Sequence, residues 1–468
     1  MTAAAGAAPV KINIVKVAMT SLAASSIEWY DFFIYGTAAA LVFPKLFFAS
    51  TLPPAVAQLA AFSTFAVGFI ARPVGGVIFG HFGDQFGRKR ALVTALLMMG
   101  LATTAVGLLP SYATAGVLAP LLLIALRFVQ GLAVGGQWGG AMLLAFENAP
   151  PKQRGLFGSF AQMGVPAGVV LANLIFLVMG ATVAPESFLI WAWRIPFLLS
   201  ILLVALGLYV QLKLEDTAEF QALQALEAQQ QEVAAKALAA EKGVSFDKAK
   251  AMLRAAKGSP ILKVIAKRPK EILLAAGSFV AANGTFYVMI NYALAYATDA
   301  HHAPHVPRQT ILLAVMLGSL ISAPFLPLMA WVSDKIGRRT VFMAGAVLMG
   351  LWAVPFFRLL DTGAFPLMLL AITVGSIFND FMYGPQAALM AELFDTEFRY
   401  SGASLGYQIG AIFGGAFAPI IATALFARYG SGMAVSAYMV VLCAISLISV
   451  SLLAETHSRE HRRAMNAS

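Results

Sequence analysis

Long apolar runs separated by short polar breaks fill this chain. Twelve are long enough for a helix to cross a bilayer, which takes roughly 20 residues. They cover 17–43, 57–80, 91–109, 116–145, 155–180, 189–212, 271–298, 309–332, 341–358, 364–390, 402–426 and 432–453. The runs exceed the length of a barrel strand and lack its in/out alternation, so they predict helices. One polar break, 213–270, is much longer than the others. It is rich in Ala, Gln, Glu and Lys, as in Phe220–Gln231, and these are strong helix formers. The pattern predicts an all-α membrane protein of twelve transmembrane helices in two pseudo-symmetric six-helix bundles. Residues 1–212 form the first bundle, 213–270 a linker with surface helices, 271–455 the second bundle and 456–468 a tail. The linker reads as a connector or as a regulatory, partner-binding segment.

Composition strengthens this picture. Of 468 residues, 60% are hydrophobic and 12% charged, against about 25% charged in ordinary soluble domains. The net charge of +10 would suit a nucleic-acid binder, but its placement argues for a bilayer and no nucleic acid. Outside the linker, fourteen Lys and Arg residues fall on one side of the predicted membrane and five on the other. The positive-inside rule then places both termini and the linker in the cytoplasm. The first run is too long for a cleaved signal peptide and carries acids. A single cysteine, Cys443, leaves no internal disulfide.

Short charged motifs repeat between the halves. Gly83-Asp84-Gln85-Phe86-Gly87-Arg88-Lys89 returns as Ser333-Asp334-Lys335-Ile336-Gly337-Arg338-Arg339. Glu147 precedes Arg154 by seven residues, and Glu392 precedes Arg399 by seven. Two copies in register, with matching partners, indicate duplication.

At this point the chain resembles the major facilitator superfamily, and within it the metabolite:proton symporter family. That family includes α-ketoglutarate, citrate, shikimate and proline/betaine transporters. The resemblance spans essentially the entire chain. It is carried by Ile27-Glu28-Trp29-Tyr30-Asp31-Phe32, Ala71-Arg72-Pro73-Val74-Gly75, the Asp84 and Asp334 loops, and Arg127-Phe128-Val129-Gln130-Gly131 running into Gly135–Ala141. The chain departs from the family's pattern at Gln137, where members commonly carry Glu. The resemblance implies a bacterial inner-membrane carrier, expected to be a monomer, that takes up a small organic acid with a proton by alternating access.

The repeated motifs read as gates. Gly83, Gly87 and Gly337 permit tight turns and positive φ. Asp84, Arg88, Asp334 and Arg338, with Glu147, Arg154, Glu392 and Arg399, form a network made when one face closes and broken when it opens. The alternative is that these charges only fix topology.

Ionisable groups inside a bilayer are costly and tend to face a bundle interior. Glu28 and Asp31 share a helix face and lie about 18–23 Å along it from Lys16. Arg72 reaches a similar depth, so acids and arginine can pair. Asp31, then Glu28, are the candidate proton carriers; a static Arg–carboxylate pair is the alternative. Asp380 is a second proton site or a counter-charge. Arg127, Gln130, Gln137 and Trp138 share one side of the fourth span. Arg127 and then Arg72 are the candidate carboxylate ligands, unless Arg127 is tied to Glu28 or Asp31 as scaffold. Asn283, Tyr287 and Asn291 step by four along the seventh span. Asn379, Tyr383 and Gln162 complete the candidate lining; Asn173, Tyr407 and Gln408 are weaker. Gly131, Gly135 and Gly139 read as packing positions.

His301, His302 and His305 read as a solvated outer loop, so no metal is expected. No phosphate-binding glycine loop and no nucleophile–base arrangement occurs, so neither ATP drive, a cofactor nor enzymatic chemistry is expected. The reading is a secondary transporter for a carboxylate-bearing or zwitterionic small molecule. A proton-driven exporter and a transporter-like membrane sensor are the rivals.

Overall fold

The computed structural model describes residues 14–86, 88–135, 149–215, 229, 232–256, 260–299, 304–394 and 399–453, which are helical with no strand among them. Nine helical segments among the described residues are long and apolar enough to cross a membrane. Eight are named here as α4 (Leu118–Gly135), α5 (Arg154–Thr182), α7 (Pro269–Ala297), α8 (Arg308–Ile336), α9 (Arg338–Leu360), α10 (Phe365–Leu393), α11 (Ser401–Tyr429) and α12 (Gly432–Leu452). The ninth lies within α2 (Pro54–Phe86). Three further helices are α1 (Ile14–Leu41), α3 (Arg88–Leu108) and α6 (Ile195–Glu215). Each of the twelve predicted runs is therefore helical over most of its described residues, and the linker contributes Phe246–Ala256 and Pro260–Lys267.

Packing follows the halves. In the first, α1 lies on α5 and α6, α2 on α4, and α3 on α4 and α6. In the second, α7 lies on α11 and α12, α9 on α10 and α12, and α8 on α10. The halves touch where α5 meets α8 and α10, where α2 meets α11, and where α1 meets α7. Leu101, Leu108 and Leu351 remain exposed, as expected of surfaces facing lipid rather than water.

Glycine sets the closest approach. A Cβ on Gly75 would strike the Leu132 carbonyl, one on Gly131 the Gly68 carbonyl, and one on Gly135 the Arg72 carbonyl. Such small-residue contacts let α2 and α4 pack backbone to backbone. Gly135→Val is expected to cost about 3 kcal/mol by overpacking, read as a lower melting temperature of the purified protein. Gly158→Ala serves as the control, because its new Cβ would meet only Ala387 Cβ, at 3.9 Å.

Helix ends follow local chemistry. Ser431 caps α12 by accepting from the Met433 amide at 3.1 Å, and Gly430 closes α11 in the left-handed region at φ 65°. Arg339 donates to the carbonyls of Val450 and Ser451 at 3.0 and 2.7 Å, tying α9 to the last turn of α12. Gly337 takes the expected positive φ, 103°, between α8 and α9. In the first copy the helix runs on through Gly83 and Asp84 to Phe86. A turn at Gly83 is thus corrected, and Gly87 lies outside the described residues.

Candidate functional site

The centre of the molecule is an aromatic cage holding two arginines. Phe32 on α1 and Phe65 and Phe69 on α2 converge on Tyr287 of α7, with ring centroids 6.1, 5.6 and 5.3 Å from it. The Arg72 guanidinium lies 4.6 Å from the Phe32 ring and 4.7 Å from Phe69. Arg127 lies 4.4 Å from the same Phe32, 4.2 Å from Tyr35 and 4.9 Å from Phe65. Cation–π contact of this kind offsets part of the cost of burying the charge. Arg72, Arg127 and Tyr287 are 2%, 1% and 1% exposed, so this centre is sealed from both faces.

Hydrogen bonding leaves the arginines half-used. Arg127 donates one bond, from Nη1 to Gln130 Oε1 at 3.1 Å, and Gln130 passes on to Thr103 Oγ1 at 2.8 Å. Its Nε and Nη2, and the same two atoms of Arg72, have no partner among the described residues. Tyr407 of α11 lies beside Arg72. Both oxygens of Asp31 are also unpartnered, with Thr103 and Ser200 close by. The expected pairing of Arg72 with Glu28 or Asp31 is therefore corrected: no ion pair joins them among the described residues, because the guanidinium turns onto the rings. The scaffold reading of Arg127 is corrected likewise, since its bond goes to Gln130.

The stripe along α7 also departs from expectation. Val288–Tyr292 is a π-turn, which adds a residue to the turn and rotates everything after it. Tyr287 stays in the cage. Asn283 donates to the Ala411 carbonyl of α11 at 3.4 Å, and Asn291 faces Gly36 of α1 with its amide unpartnered among the described residues. A second π-turn, Ile412–Ala416, places Gly415 against Phe69 and Asn283. Gln162 of α5 donates to the Tyr383 carbonyl of α10 at 2.9 Å, linking the halves. Asn379 spends its amide protons on Ala282 and Thr285. Gln137 and Trp138 lie outside the described residues.

One face is locked by the second charged motif. Both Asp334 oxygens cap the start of α5, accepting from the Gly155 and Leu156 amides at 2.9 and 3.0 Å. The helix N-terminus favours that negative charge. Arg338 Nη2 lies 2.6 Å from Asp334 and 3.1 Å from Glu392, with all three side chains 1–2% exposed. In the other copy, Asp84 and Arg88 lie in helix, but their side chains, and all of Glu147, are outside the described residues, as is the side chain of Arg399. Arg154 opens α5 beside the Asp334 cap. At the opposite face, Gln309 of α8 donates to the Gly180 carbonyl of α5, and Arg308 covers Phe188 at 3.7 Å. With both faces joined and the cage sealed, the arrangement is an occluded one.

A family model for sugar (and other) transporters matches residues 16–466. The chain belongs to that family, within the major facilitator superfamily. It is 39% identical over 451 residues to the inner membrane metabolite transport protein YhjE of Escherichia coli (strain K12), covering 96% of this chain and 95% of that one. It is 39% identical over 443 residues to the shikimate transporter of the same organism, covering 94% of each. It is 31% identical over 436 residues to the glycine betaine/proline/ectoine/pipecolic acid transporter OusA of Dickeya dadantii (strain 3937), covering 93% of this chain and 82% of that one. Among solved structures, the partially occluded inward-open xylose transporter XylE of E. coli superposes with a TM-score of 0.67 at 17% identity, covering 95% of this chain and 98% of that one. At that identity the match speaks for the fold. The protein is thus a multi-pass inner-membrane transporter, not an enzyme.

Sequence reasoning missed the cage itself. Phe32 sits inside a quoted motif, but Phe65 and Phe69 look like any phenylalanines in an apolar run. Their i, i+4 spacing on the helix that also carries Arg72 was the available signal.

Proposed function

We propose that this protein is a proton-coupled symporter that takes up a small carboxylate-bearing metabolite. One observation carries the reading: two guanidinium groups, each with Nε and Nη2 unpartnered among the described residues, sit buried in an aromatic cage between the halves. Buried unpaired cations are costly, and a planar carboxylate answers their fork geometry. Shikimate and the betaine and proline carried by named relatives all have a carboxylate. Ring walls from Phe32, Phe65, Phe69 and Tyr287 would pack the rest of the solute.

In this reading the first half binds the carboxylate through Arg127 and Arg72, and the second half closes over it with Tyr287. Asn283, Asn291, Asn379, Tyr383, Gln130 and Gln162 position the walls. Asp31, beside Thr103 and Ser200, carries the proton, with Glu28 one turn away. Asp334, Arg338 and Glu392 hold the cytoplasmic face shut. The bundles divide at the 213–270 linker, both termini lie in the cytoplasm, and one chain suffices.

The test is uptake of labelled organic acids into proteoliposomes with and without a protonophore. Concentrative uptake abolished by the protonophore is the expected result; uptake that ignores it would end the symport reading. Arg127→Gln is expected to raise the apparent substrate Kd at least tenfold, since a charge-assisted bidentate contact contributes about 1.5–3 kcal/mol. Isothermal titration of the purified variant measures this, and unchanged affinity would remove Arg127 from the site.

A further inference from the structure

A second polar pocket lies between α8 and α10, beside the cage, with Phe286 against Tyr287 between them. Ser319 and Ser322 of α8 and Ser376, Asn379 and Asp380 of α10 line a cavity of about 20 Å³. That is room for about one water molecule or one small ion. All five side chains are buried, none more than 7% exposed. Asp380 Oδ2, Ser319 Oγ and Ser376 Oγ have no partner among the described residues. Ser322 Oγ adjoins the Asp380 carboxyl. The Asn379 amide nitrogen is bound to the Ala282 carbonyl and to Thr285 Oγ1, at 2.7 and 3.2 Å. What Asn379 retains for the cavity is its carbonyl oxygen.

The lining therefore offers five side-chain oxygen ligands, one formal negative charge and no basic residue. Serine hydroxyls can turn their protons toward helix carbonyls and present oxygen inward. Hard oxygen ligands select hard cations. A single carboxylate balances one positive charge, whereas a divalent ion would leave a net charge buried in the bilayer.

We propose that this pocket is a sodium site: one largely dehydrated Na⁺ held by Asp380, Ser319, Ser322, Ser376 and the Asn379 carbonyl. Five oxygens can fill the shell of a sodium ion, whereas the larger potassium ion takes more ligands. Val165 and Pro166 of α5, from the other half, complete the wall. The site is whole only while the halves are in contact, so bound sodium favours the occluded arrangement. Sodium binding needs no organic solute, so it stands apart from the carboxylate-uptake reading.

The experiment is thermal unfolding of the purified full-length protein, without solute, in NaCl, KCl or choline chloride at equal ionic strength. Sodium is expected to raise Tm by about 2 °C or more over both other salts, as ligand linkage requires. Asp380→Asn is expected to abolish the sodium-specific increment whatever its own Tm. Ser376→Ala, which deletes one ligand and leaves the carboxylate, is expected to shift the sodium concentration giving the half-maximal increment upward about tenfold. Equal Tm in the three salts would mean the cavity holds only water and overturns the proposal. A sodium increment that persists undiminished in Asp380→Asn would place the ion elsewhere and also overturns it.

Discussion

Arg338→Gln is expected to destabilise the closed face by about 3–5 kcal/mol, because it leaves the buried Asp334 and Glu392 without their shared cation. The side chain cannot be replaced by simple solvation, since all three groups are 1–2% exposed. Glutamine can donate to one carboxylate but supplies no charge to either. The Asp334 cap on the Gly155 and Leu156 amides would survive only at a higher electrostatic cost. A reporter follows from the packing. Ala387 on α10 is 1% exposed and faces Gly158 of α5. In an Ala387→Cys, Cys443→Ser background, maleimide labelling should be slow with Arg338 present. Adding Arg338→Gln should accelerate it by two orders of magnitude or more, the population shift that about 3 kcal/mol produces. Arg338→Lys should fall between, because one ammonium cannot span two carboxylates as the planar fork does. An unchanged labelling rate in Arg338→Gln would reduce the motif to a topology signal.

Much of this architecture was readable in advance, and the reasons are physical. A bilayer forces long apolar helices, so span count follows from hydropathy alone. Duplication left Asp334, Arg338 and Glu392 in register with their first-half counterparts, and in the second copy the three do assemble. What escaped was azimuthal detail. Hydropathy says that α2 is buried in something apolar, but not that Phe65 and Phe69 face α1 while Val77 and Ile78 stay exposed. The π-turn at Val288–Tyr292 shifts helical phase without any residue that announces it, so counting by fours placed Asn291 beside Tyr287 when it faces Gly36. Ser319, Ser322 and Ser376 read as ordinary small residues of membrane helices. Only their convergence on Asp380 gives them a role.

The balance of charge inside the first half explains why the centre is poised rather than settled. Glu28 and Asp31 on α1, Arg72 on α2 and Arg127 on α4 put two acids and two bases inside the first half, yet no ion pair joins them among the described residues. Both guanidiniums lie instead against the Phe32 ring. A carboxylate substrate would therefore meet donors that are free to accept it. A proton arriving at Asp31 would remove the competing negative charge nearby. Under the proposed symport, solute and proton would then favour each other's binding by ordinary electrostatics, which is reciprocal coupling between two sites.

Asp31→Asn is the variant in which that coupling should fail most completely. Neither Asp31 oxygen has a hydrogen-bond partner among the described residues, so the isosteric amide removes no observed bond. What it removes is the capacity to shed a proton on one side and reload on the other. A pH gradient equivalent to 100 mV is about 2.3 kcal/mol per coupled proton, enough to sustain a solute gradient of roughly 50-fold. The wild-type protein in energised proteoliposomes should build a gradient of that order, and Asp31→Asn should stop at an inside-to-outside ratio of about one. Exchange of labelled for unlabelled solute, however, needs no return of the empty carrier. It should persist in the variant, which separates lost coupling from lost folding or binding. Concentrative uptake retained by Asp31→Asn would move the proton to Glu28, and a Glu28→Gln variant with the same retention would remove both acids from the mechanism.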